Sequence, residues 1–152
     1  MQFSEITKQY WTKEDWKNLE EAESIGDLYI IAKNIISKMP KPFTQVCGPI
    51  ATGGLGSFEL NLGAFSKTIK KLQQEGLTVF DQMPFEGPMQ RIKNKTITNG
   101  GYANFILTDF YYPIFESGLI SALYFMPGWE SSKGANLEHQ KAKELGIKIV
   151  YL

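Results

Sequence analysis

The segment MPGWESSKGANLEH contains the acidic residue with the most unusual setting in the chain, Glu138. Four residues spaced three, four and three apart share one stripe of a helix: Ala135, Glu138, Ala142 and Leu145. Glu138 therefore lies on an otherwise apolar face, close to the helix start. A carboxylate in that position is costly unless its charge is used or paired. One interpretation is nucleophilic or acid–base chemistry, and the other is capping of loop amides or pairing with a lysine.

A second unusual segment is GPIATGGLGS, residues 48–57, which follows a short β-rich run and precedes a helix. Its glycines allow backbone amides to approach a ligand closely, and the helix start offers unpaired amides to an anion. The segment matches neither GxGxxG nor GxxxxGK[ST], so it predicts neither a dinucleotide fingerprint nor a P-loop. A flexible turn without a ligand is the alternative.

Composition restricts the class of partner. Sixteen basic residues balance sixteen acidic ones, so no net field attracts a polyphosphate, and we expect a small ligand rather than a nucleic acid polymer. One cysteine and one histidine exclude an intrachain disulfide framework and the common structural zinc sites. No apolar run approaches the roughly 20 residues of a membrane span, and the start MQFSEITKQYW lacks the pattern of a signal segment. A cytoplasmic protein without a membrane partner is expected.

The first 42 residues predict a helical extension. Thr12 and Asp15 have the spacing of a capping box, and Asp27 is expected to cap the second helix. That helix has one apolar stripe, formed by Leu28, Ile31, Ile35, Ile36 and Met39. Pro40 and Pro42 should end it.

From Phe43 onward the pattern alternates between strands and helices. Strands are predicted at residues 44–47, 77–80, 122–125 and 148–151. Helices are predicted after Ser57, at 133–145, and at 102–116, where Pro113 should kink the helix or end one helix and begin another. The helix after Ser57 should bury Leu60, Ala64, Phe65, Ile69 and Leu72. Residues 81–101 read as a long loop of the kind that often forms a lid. The expected fold is a flavodoxin-like or Rossmann-like open α/β domain over residues 43–152, with a mostly parallel sheet of about four or five strands. Ligands bind beyond the carboxyl ends of such strands.

From Val46 to Val150, about two-thirds of the chain, the sequence resembles the nucleoside 2-deoxyribosyltransferase-like family, including its small bacterial and phage branch. The matching pieces are VCGPI, Asn61 with Ala64 and Phe65, LQQEGLTVFD, and LYFMPGWESSKGANLEHQKAKELGIKIV. The last piece resembles the nucleophile motif of the family, which assigns the nucleophile to Glu138.

The resemblance implies chemistry at an anomeric carbon, without a metal or an organic cofactor. The glutamate attacks C1′ of a deoxyribose while the base leaves, and the sugar ester passes to another base or to water, as in retaining glycosidases. A second acid is needed, and Asp109 is the candidate by position. It lies about one helical turn earlier than the family pattern, and Ser121 stands where an aspartate usually begins the strand. Asp81 is the reserve acid.

The resemblance also suggests residues for the sugar, the phosphate and the base. Asn61 is expected to hold a ribose hydroxyl or a phosphate, or else to cap the glycine loop. Ser132 is expected to hold a 5′-phosphate, or else to be an ordinary N-cap. Trp129 is expected to stack on a base, or else to cover the core. The predicted substrate-binding set is Gly48, Pro49, Asn61, Asp81, Trp129, Ser132 and Gly134.

Three functions follow from these observations. The first is cleavage or transfer of the N-glycosidic bond of a nucleoside or its 5′-monophosphate, by a protein expected to form homo-oligomers. The second is ribonucleotide hydrolysis, because PGWESSKGANLE also resembles the PGGxGTxxE motif of cytokinin-riboside phosphoribohydrolase proteins. The third is a nucleotide-binding sensor or interaction module without catalysis, which the absent aspartate at Ser121 and the displaced Asp109 favour.

Overall fold

Three parallel strands form the sheet of this protein, seen in a computed structural model that describes residues 2–96 and 104–152. They are β1 (Phe43–Cys47), β2 (Ile120–Phe125) and β3 (Lys148–Tyr151). β2 lies between the other two strands, and both of its pairings are parallel. The protein is therefore a mixed α/β protein with an open parallel sheet.

The described residues also form helices of very different lengths. In chain order they are α1 (Glu5–Lys8), α2 (Lys13–Glu21), α3 (Ile25–Lys38), α4 (Phe58–Gln74), α5 (Met83–Thr96), α6 (Asn104–Ile106), α7 (Tyr112–Glu116) and α8 (Lys133–Leu145). In the part of the chain that is described, none of them has the length and apolar character needed to cross a bilayer.

The described chain divides into two compact units. The helical unit contains residues 2–39, 81–96 and 104–113, and the sheet unit contains residues 40–80 and 114–152. The break after residue 39 lies near the predicted boundary at residue 42. In this partition, residues 81–96 and 104–113 group with the N-terminal helices rather than with the sheet.

The predicted strand at residues 77–80 is reduced to one parallel bridge, between Val79 and Thr44. Two backbone hydrogen bonds of 2.8 and 2.9 Å flank this bridge. The segment has little room to extend, because the Leu77 amide still bonds to the end of α4 (3.1 Å) and Asp81 already accepts from an amide of α5 (2.9 Å). The expectation of four or five strands is therefore wrong: the described residues form three.

The bridge nevertheless shows where the strand order reverses. Thr44 pairs with both Val79 and Ala122, so these two neighbours lie on opposite edges of β1. The chain leaves β1 toward one side, through α4, and later returns to its other side as β2. In open α/β sheets, the crevice for a ligand lies beyond the carboxyl ends of the strands at such a reversal. Here those ends are Cys47 and Phe125.

Helices α4 and α8 connect the parallel strands, and each buries one stripe. In α4 the buried residues include Asn61, Phe65, Ile69 and Leu72, whereas Leu60 is 57% exposed, so its predicted place in the core is wrong. The buried stripe of α4 therefore begins at Asn61, one residue after the apolar Leu60. In α8, Ala135, Glu138 and Ala142 are buried as predicted, while Leu145 in the last turn is exposed.

The N-terminal helices follow their sequence signals closely. The capping box of Thr12 and Asp15 is present, and a second box joins Ser24 to Asp27. Ser24, not Asp27, is thus the N-cap of α3, and Asp27 is its third helical residue. The predicted stripe of α3 is buried throughout, and the chain turns at Met39 ahead of the prolines.

Helix α5 replaces most of the loop predicted at residues 81–101, of which residues 97–101 lie outside the described part. Phe85, Met89 and Ile92 are buried and spaced four and three apart, which gives the helix an apolar stripe. Pro84 falls in the first turn, where the missing amide is unpaired in any case. Pro88 removes one backbone hydrogen bond further along, and burial of the stripe offsets that loss.

Pro113 changes the helix at residues 104–116 without breaking it. The five residues Leu107–Tyr111 form a π-helical turn, closed by the Tyr112 amide donating to the carbonyl of Leu107. Pro113 offers no amide to the carbonyl of Asp109 and its ring crowds that oxygen, so a wider turn relieves the contact. The predicted start of this helix, Tyr102, lies outside the described residues.

A buried carboxyl group lies in the helical unit, on Glu86 of α5. The Tyr111 hydroxyl donates to its Oε1 at 2.5 Å, and Gln82 is a second hydrogen-bond partner. Burial raises the pKa of Glu86 to about 7, and these two hydrogen bonds only partly oppose that rise.

We predict that this group makes stability depend on pH. The folded state holds a proton on Glu86 up to about pH 7, whereas the unfolded chain releases it near 4.5. The free energy of unfolding should therefore fall, by on the order of 3 kcal/mol, as pH rises from about 4.5 to 7. Urea denaturation across this range measures the slope. Glu86→Gln should remove the slope, and the control Glu20→Gln, on the surface of α2, should retain it; a slope unchanged in Glu86→Gln would contradict the assignment.

Candidate functional site

Glu138 lies at the carboxyl edge of the sheet, on the second turn of α8. The helix begins beyond β2, where the Ser132 side chain accepts a hydrogen bond from the Ala135 amide. Glu138 follows on the buried stripe and is only 6% exposed. Its carboxylate is in hydrogen-bond contact with the thiol of Cys47, the last residue of β1. The acid that the sequence singles out is thus directed toward the end of β1 rather than toward bulk solvent.

Cys47 is fully buried, and its thiol remains protonated. Burial raises the pKa of the Cys47 thiol well above its usual range, and the neighbouring charge and hydrogen bond of Glu138 raise it further. A carboxylate has no proton to give, so the thiol is the donor in this contact. A buried thiol of raised pKa is a poor nucleophile.

The side chain of Asn61, in the first turn of α4, holds the glycine loop, residues 48–57. The Asn61 side chain accepts a hydrogen bond from the Leu55 amide (2.9 Å) and donates to the carbonyls of Ile50 (2.9 Å) and Gly53 (3.1 Å). This is the loop-capping arrangement considered for Asn61. Its role in holding a ribose hydroxyl or a phosphate stays a prediction.

At three of the four glycines of this loop, neighbouring protein atoms leave no room for a Cβ. A Cβ on Gly48 would lie 2.7 Å from the Met126 sulfur, and one on Gly53 would lie 2.2 Å from the Ser131 carbonyl oxygen. A Cβ on Gly54 would lie 2.6 Å from Pro49, and both Gly53 and Gly54 have positive φ angles. The loop is therefore tightly fitted to its surroundings, and Gly48 and Pro49 form its start beside the end of β2.

Two further hydrogen bonds fasten the loop to the turn that starts α8. The Gly54 amide donates to the Ser131 hydroxyl at 2.8 Å, and the Lys133 amide donates to the Thr52 hydroxyl at 3.1 Å. Ser132 is the N-cap of the helix, as its alternative interpretation expected, and Gly134 is the second helical residue. These hydrogen-bonding roles of Thr52 and Ser131 were not predicted from the sequence. Their hydroxyls next to a helix start were a usable signal, since such residues commonly pair with free amides.

Trp129 belongs to an aromatic group at the ends of β2 and β3. Its ring stacks on His139 (centroids 4.3 Å apart) and lies at 5.2 Å from Phe125. The His139 Nε2 and the Tyr151 hydroxyl lie 2.7 Å apart. Desolvation and the charge of Lys143 lower the pKa of His139, against an opposing effect of Glu130. His139 is thus packed against Trp129 rather than free in solvent.

An open hollow of about 390 Å³ adjoins this aromatic group. Its lining residues include Phe125, Trp129 and Tyr151, together with the backbone turn at Pro127 and Gly128. Volumes of this size accommodate small ligands when aromatic side chains line them. The predicted stacking of Trp129 on a base stays a prediction.

The two other acids of the predicted site belong to the helical unit. Asp109 lies on the π-helical turn, is exposed, and accepts a hydrogen bond from the Thr108 hydroxyl at 3.1 Å. Asp81 is half-buried; it accepts from the Thr7 hydroxyl at 2.8 Å and from the Met83 amide at 2.9 Å. Asp81 therefore starts α5 and ties it to the first helix. The catalytic assignment of Asp109 and the binding assignment of Asp81 stay predictions.

Comparison with known proteins gives one match to a family model. The family is described as Domain of unknown function (DUF4406), and the match covers residues 108–151. This segment contains β2, α8 and β3, and with them Glu138, but it does not include Cys47 or the glycine loop. No curated protein and no solved structure matches the chain.

The loop clamp makes a prediction about stability. Asn61→Ala removes three hydrogen bonds and leaves the Leu55 amide without its acceptor, so the free energy of unfolding should fall by about 2 to 3 kcal/mol. Urea denaturation at fixed pH measures this loss. Gln74→Ala, at the exposed end of the same helix, is the matched control and should change stability by less than about 0.5 kcal/mol. Equal effects of the two variants would contradict the clamp.

Proposed function

We propose that this protein cleaves or transfers the N-glycosidic bond of a nucleoside or nucleoside 5′-monophosphate, with Glu138 as the nucleophile. The single observation that carries the proposal is a buried glutamate at the carboxyl edge of a parallel sheet, where the strand order reverses. The proposal also draws on the resemblance of MPGWESSKGANLEH to the nucleophile segment of nucleoside 2-deoxyribosyltransferases, and on a flavodoxin-like interpretation of the sheet.

The chemistry that a glutamate supplies here is a double displacement. A carboxylate oxygen of Glu138 attacks C1′ as the C1′–N bond breaks, and the bonding pair leaves with the base. The departing base nitrogen takes up one proton. In the second step water, or the nitrogen of another base, attacks C1′, the ester C–O bond breaks, and Glu138 is restored as a carboxylate. The incoming nucleophile loses the proton that balances the first step. A site largely closed to solvent favours this route, because a carboxylate with few water contacts is more reactive.

The nucleophile can be tested by intact-mass analysis. We expect incubation with a panel of deoxynucleosides and their monophosphates to add the mass of one sugar, or sugar phosphate, to the protein while free base appears. Peptide mapping should locate the addition on Glu138. A parallel incubation with ribonucleoside monophosphates distinguishes the ribonucleotide hydrolase, and addition of a second base distinguishes transfer from hydrolysis.

Glu138→Gln should lower base release about 1,000-fold or more and abolish the mass addition, because an amide is a far weaker nucleophile. Glu144→Gln, exposed on the same helix, is the matched control and should behave as the unmodified protein. Base release that persists in Glu138→Gln would overturn the assignment of the nucleophile.

The source of the leaving-group proton is a separate test. The sequence assigns this proton to Asp109, and loss of a general acid costs roughly 100-fold or more, so Asp109→Asn should lower the rate of base release by about that factor. Substrates whose bases leave readily without protonation should be affected less. An unchanged rate would exclude Asp109 as the proton donor, leave Asp81 or water as the source, and leave the role of Glu138 intact.

A binding module without catalysis is the second candidate, and one observation favours it. The charge of Glu138 already has a partner inside the protein, the Cys47 thiol, so its burial does not by itself require a reaction. Calorimetric binding of a nucleotide without release of base, changed by Glu138→Ala only in affinity, would support this candidate over the enzyme.

A further inference from the structure

Strand β3 lies at one side of the sheet and has little protection there. Among the described residues it pairs only with β2, in a register that runs without a bulge from Lys148 to Tyr151. Exposed edge strands of soluble proteins commonly carry a proline, a bulge or several charges, which prevent pairing with another strand. This strand has no proline, and its one charged residue is Lys148, at its start. The outer side of β3 can therefore accept a further strand.

The backbone groups on the outer side of β3 belong to Ile149 and Tyr151. The Leu152 amide donates to the carbonyl of Phe125 in β2 (2.9 Å), and the backbone groups of successive residues point to opposite sides of a strand. Counting back from Leu152, every second residue faces β2, and the two residues between them direct an amide and a carbonyl outward. Tyr151 is also 60% exposed, so a large aromatic side chain lies uncovered at the end of the strand.

A second copy of the chain carries a matching strand. In an antiparallel pair related by a two-fold axis, Ile149 of each copy can lie opposite Tyr151 of the other. This register uses all outward groups of both strands, in four hydrogen bonds. A shift toward the start of the strand would need the amide of Ile147, which already donates to the carbonyl of Ala142 (2.9 Å). The local hydrogen bonds therefore favour one register.

Charges at the two ends of β3 favour the antiparallel direction. Lys148 begins the strand, and Lys143 lies one turn after His139, on the flank of α8 that bonds to the Tyr151 hydroxyl. Glu130 lies at the other end of the strand, where it lines the same hollow as Tyr151. An antiparallel partner brings its basic end to this acidic end, and the two-fold axis repeats the contact. Opposite charges that meet across an interface fix its orientation.

We propose that the outer side of β3 is an interaction surface for a second copy of this chain, which adds its own β3 in antiparallel orientation and continues the sheet across two subunits. The surface is small, because it consists of one short strand and its flanking charges. The dimer is therefore reversible and dissociates on dilution. The proposal is independent of the glycosidic function, since no residue of that chemistry takes part in the pairing.

The register can be tested by cross-linking. Val150 lies opposite its own copy across the two-fold axis, in a pair without hydrogen bonds, where the Cα atoms are about 4.5 Å apart. That distance permits a disulfide, so Val150→Cys should give a linked dimer on mild oxidation. Lys148→Cys, on the same face of the strand, is the matched control. Its two copies lie about 13 Å apart along the strands and should not be linked. The natural Cys47 is fully buried and should not react.

The reversible dimer can be measured by sedimentation velocity over a wide range of concentrations, where the mass of the unmodified protein should rise toward twice that of one chain. Ile149→Pro removes an outward amide but no hydrogen bond to β2, so it should weaken dimerisation about tenfold or more. Circular dichroism checks that this variant is folded. Lys148→Glu should weaken dimerisation about fivefold, and adding Glu130→Lys to the same chain should restore it.

The outcomes decide between this surface and any other. A protein that stays monomeric at every concentration overturns the proposal. A dimer that a folded Ile149→Pro variant retains also overturns it, because that dimer would use a different surface. Equal cross-linking of Val150→Cys and Lys148→Cys would indicate random collision and has the same consequence. Preferential linkage of Val150→Cys, with loss of the dimer in Lys148→Glu and recovery in the charge-exchanged chain, supports the proposal.

Discussion

The burial of one carboxylate, Glu138, is the constraint on which the carboxyl edge of the sheet depends. An ionised group removed from water costs several kcal/mol unless hydrogen bonds replace its hydration. Here a thiol at the end of β1 supplies one of them. This requirement places the second turn of α8 next to the last residue of β1. The close contacts of Gly48 with Met126 and of Gly53 with Ser131 also hold the glycine loop against the turn that precedes α8.

The glycine loop is a rigid part of this arrangement rather than an open cradle. Its polar groups are joined to Asn61, to Ser131 and through Thr52 to the first amide of α8. A ligand would therefore meet a surface already ordered by the protein, which lowers the entropy lost on binding. The hydrogen bonds of Asn61 explain why the buried stripe of α4 begins with a polar residue. Asn61 is buried because the loop is bonded to both the oxygen and the nitrogen of its side-chain amide.

The sequence predicted the elements in which local signals and burial agree. Helix α8 and strand β3 have the predicted bounds, and the capping box at Thr12 is present, because caps and periodicity act over a few residues. Helix α5 was missed since its prolines and glycine read as loop signals, although Phe85, Met89 and Ile92 already formed a stripe. The prediction that Leu60 rather than Asn61 is buried was wrong for another reason. Hydropathy ranks side chains by their transfer from water, whereas the hydrogen bonds of the folded chain decide which polar side chain is buried. At the site, spacing alone located Glu138, but the partner across the sheet required coordinates.

Two glutamates are buried among the residues that the structure describes, and comparing them shows why burial alone does not define a site. Glu86 lies within a helix of the helical unit and bonds to a tyrosine hydroxyl, a stronger donor than a thiol. Burial still raises its pKa to about 7, so below neutral pH it is a neutral acid that shares hydrogen bonds inside the core, and near pH 7 it is about half protonated. Glu138 lies instead in the second turn of α8, where parallel strands end and their order reverses. The same side chain is therefore a structural acid in one setting and a candidate nucleophile in the other, and the strand topology makes the difference.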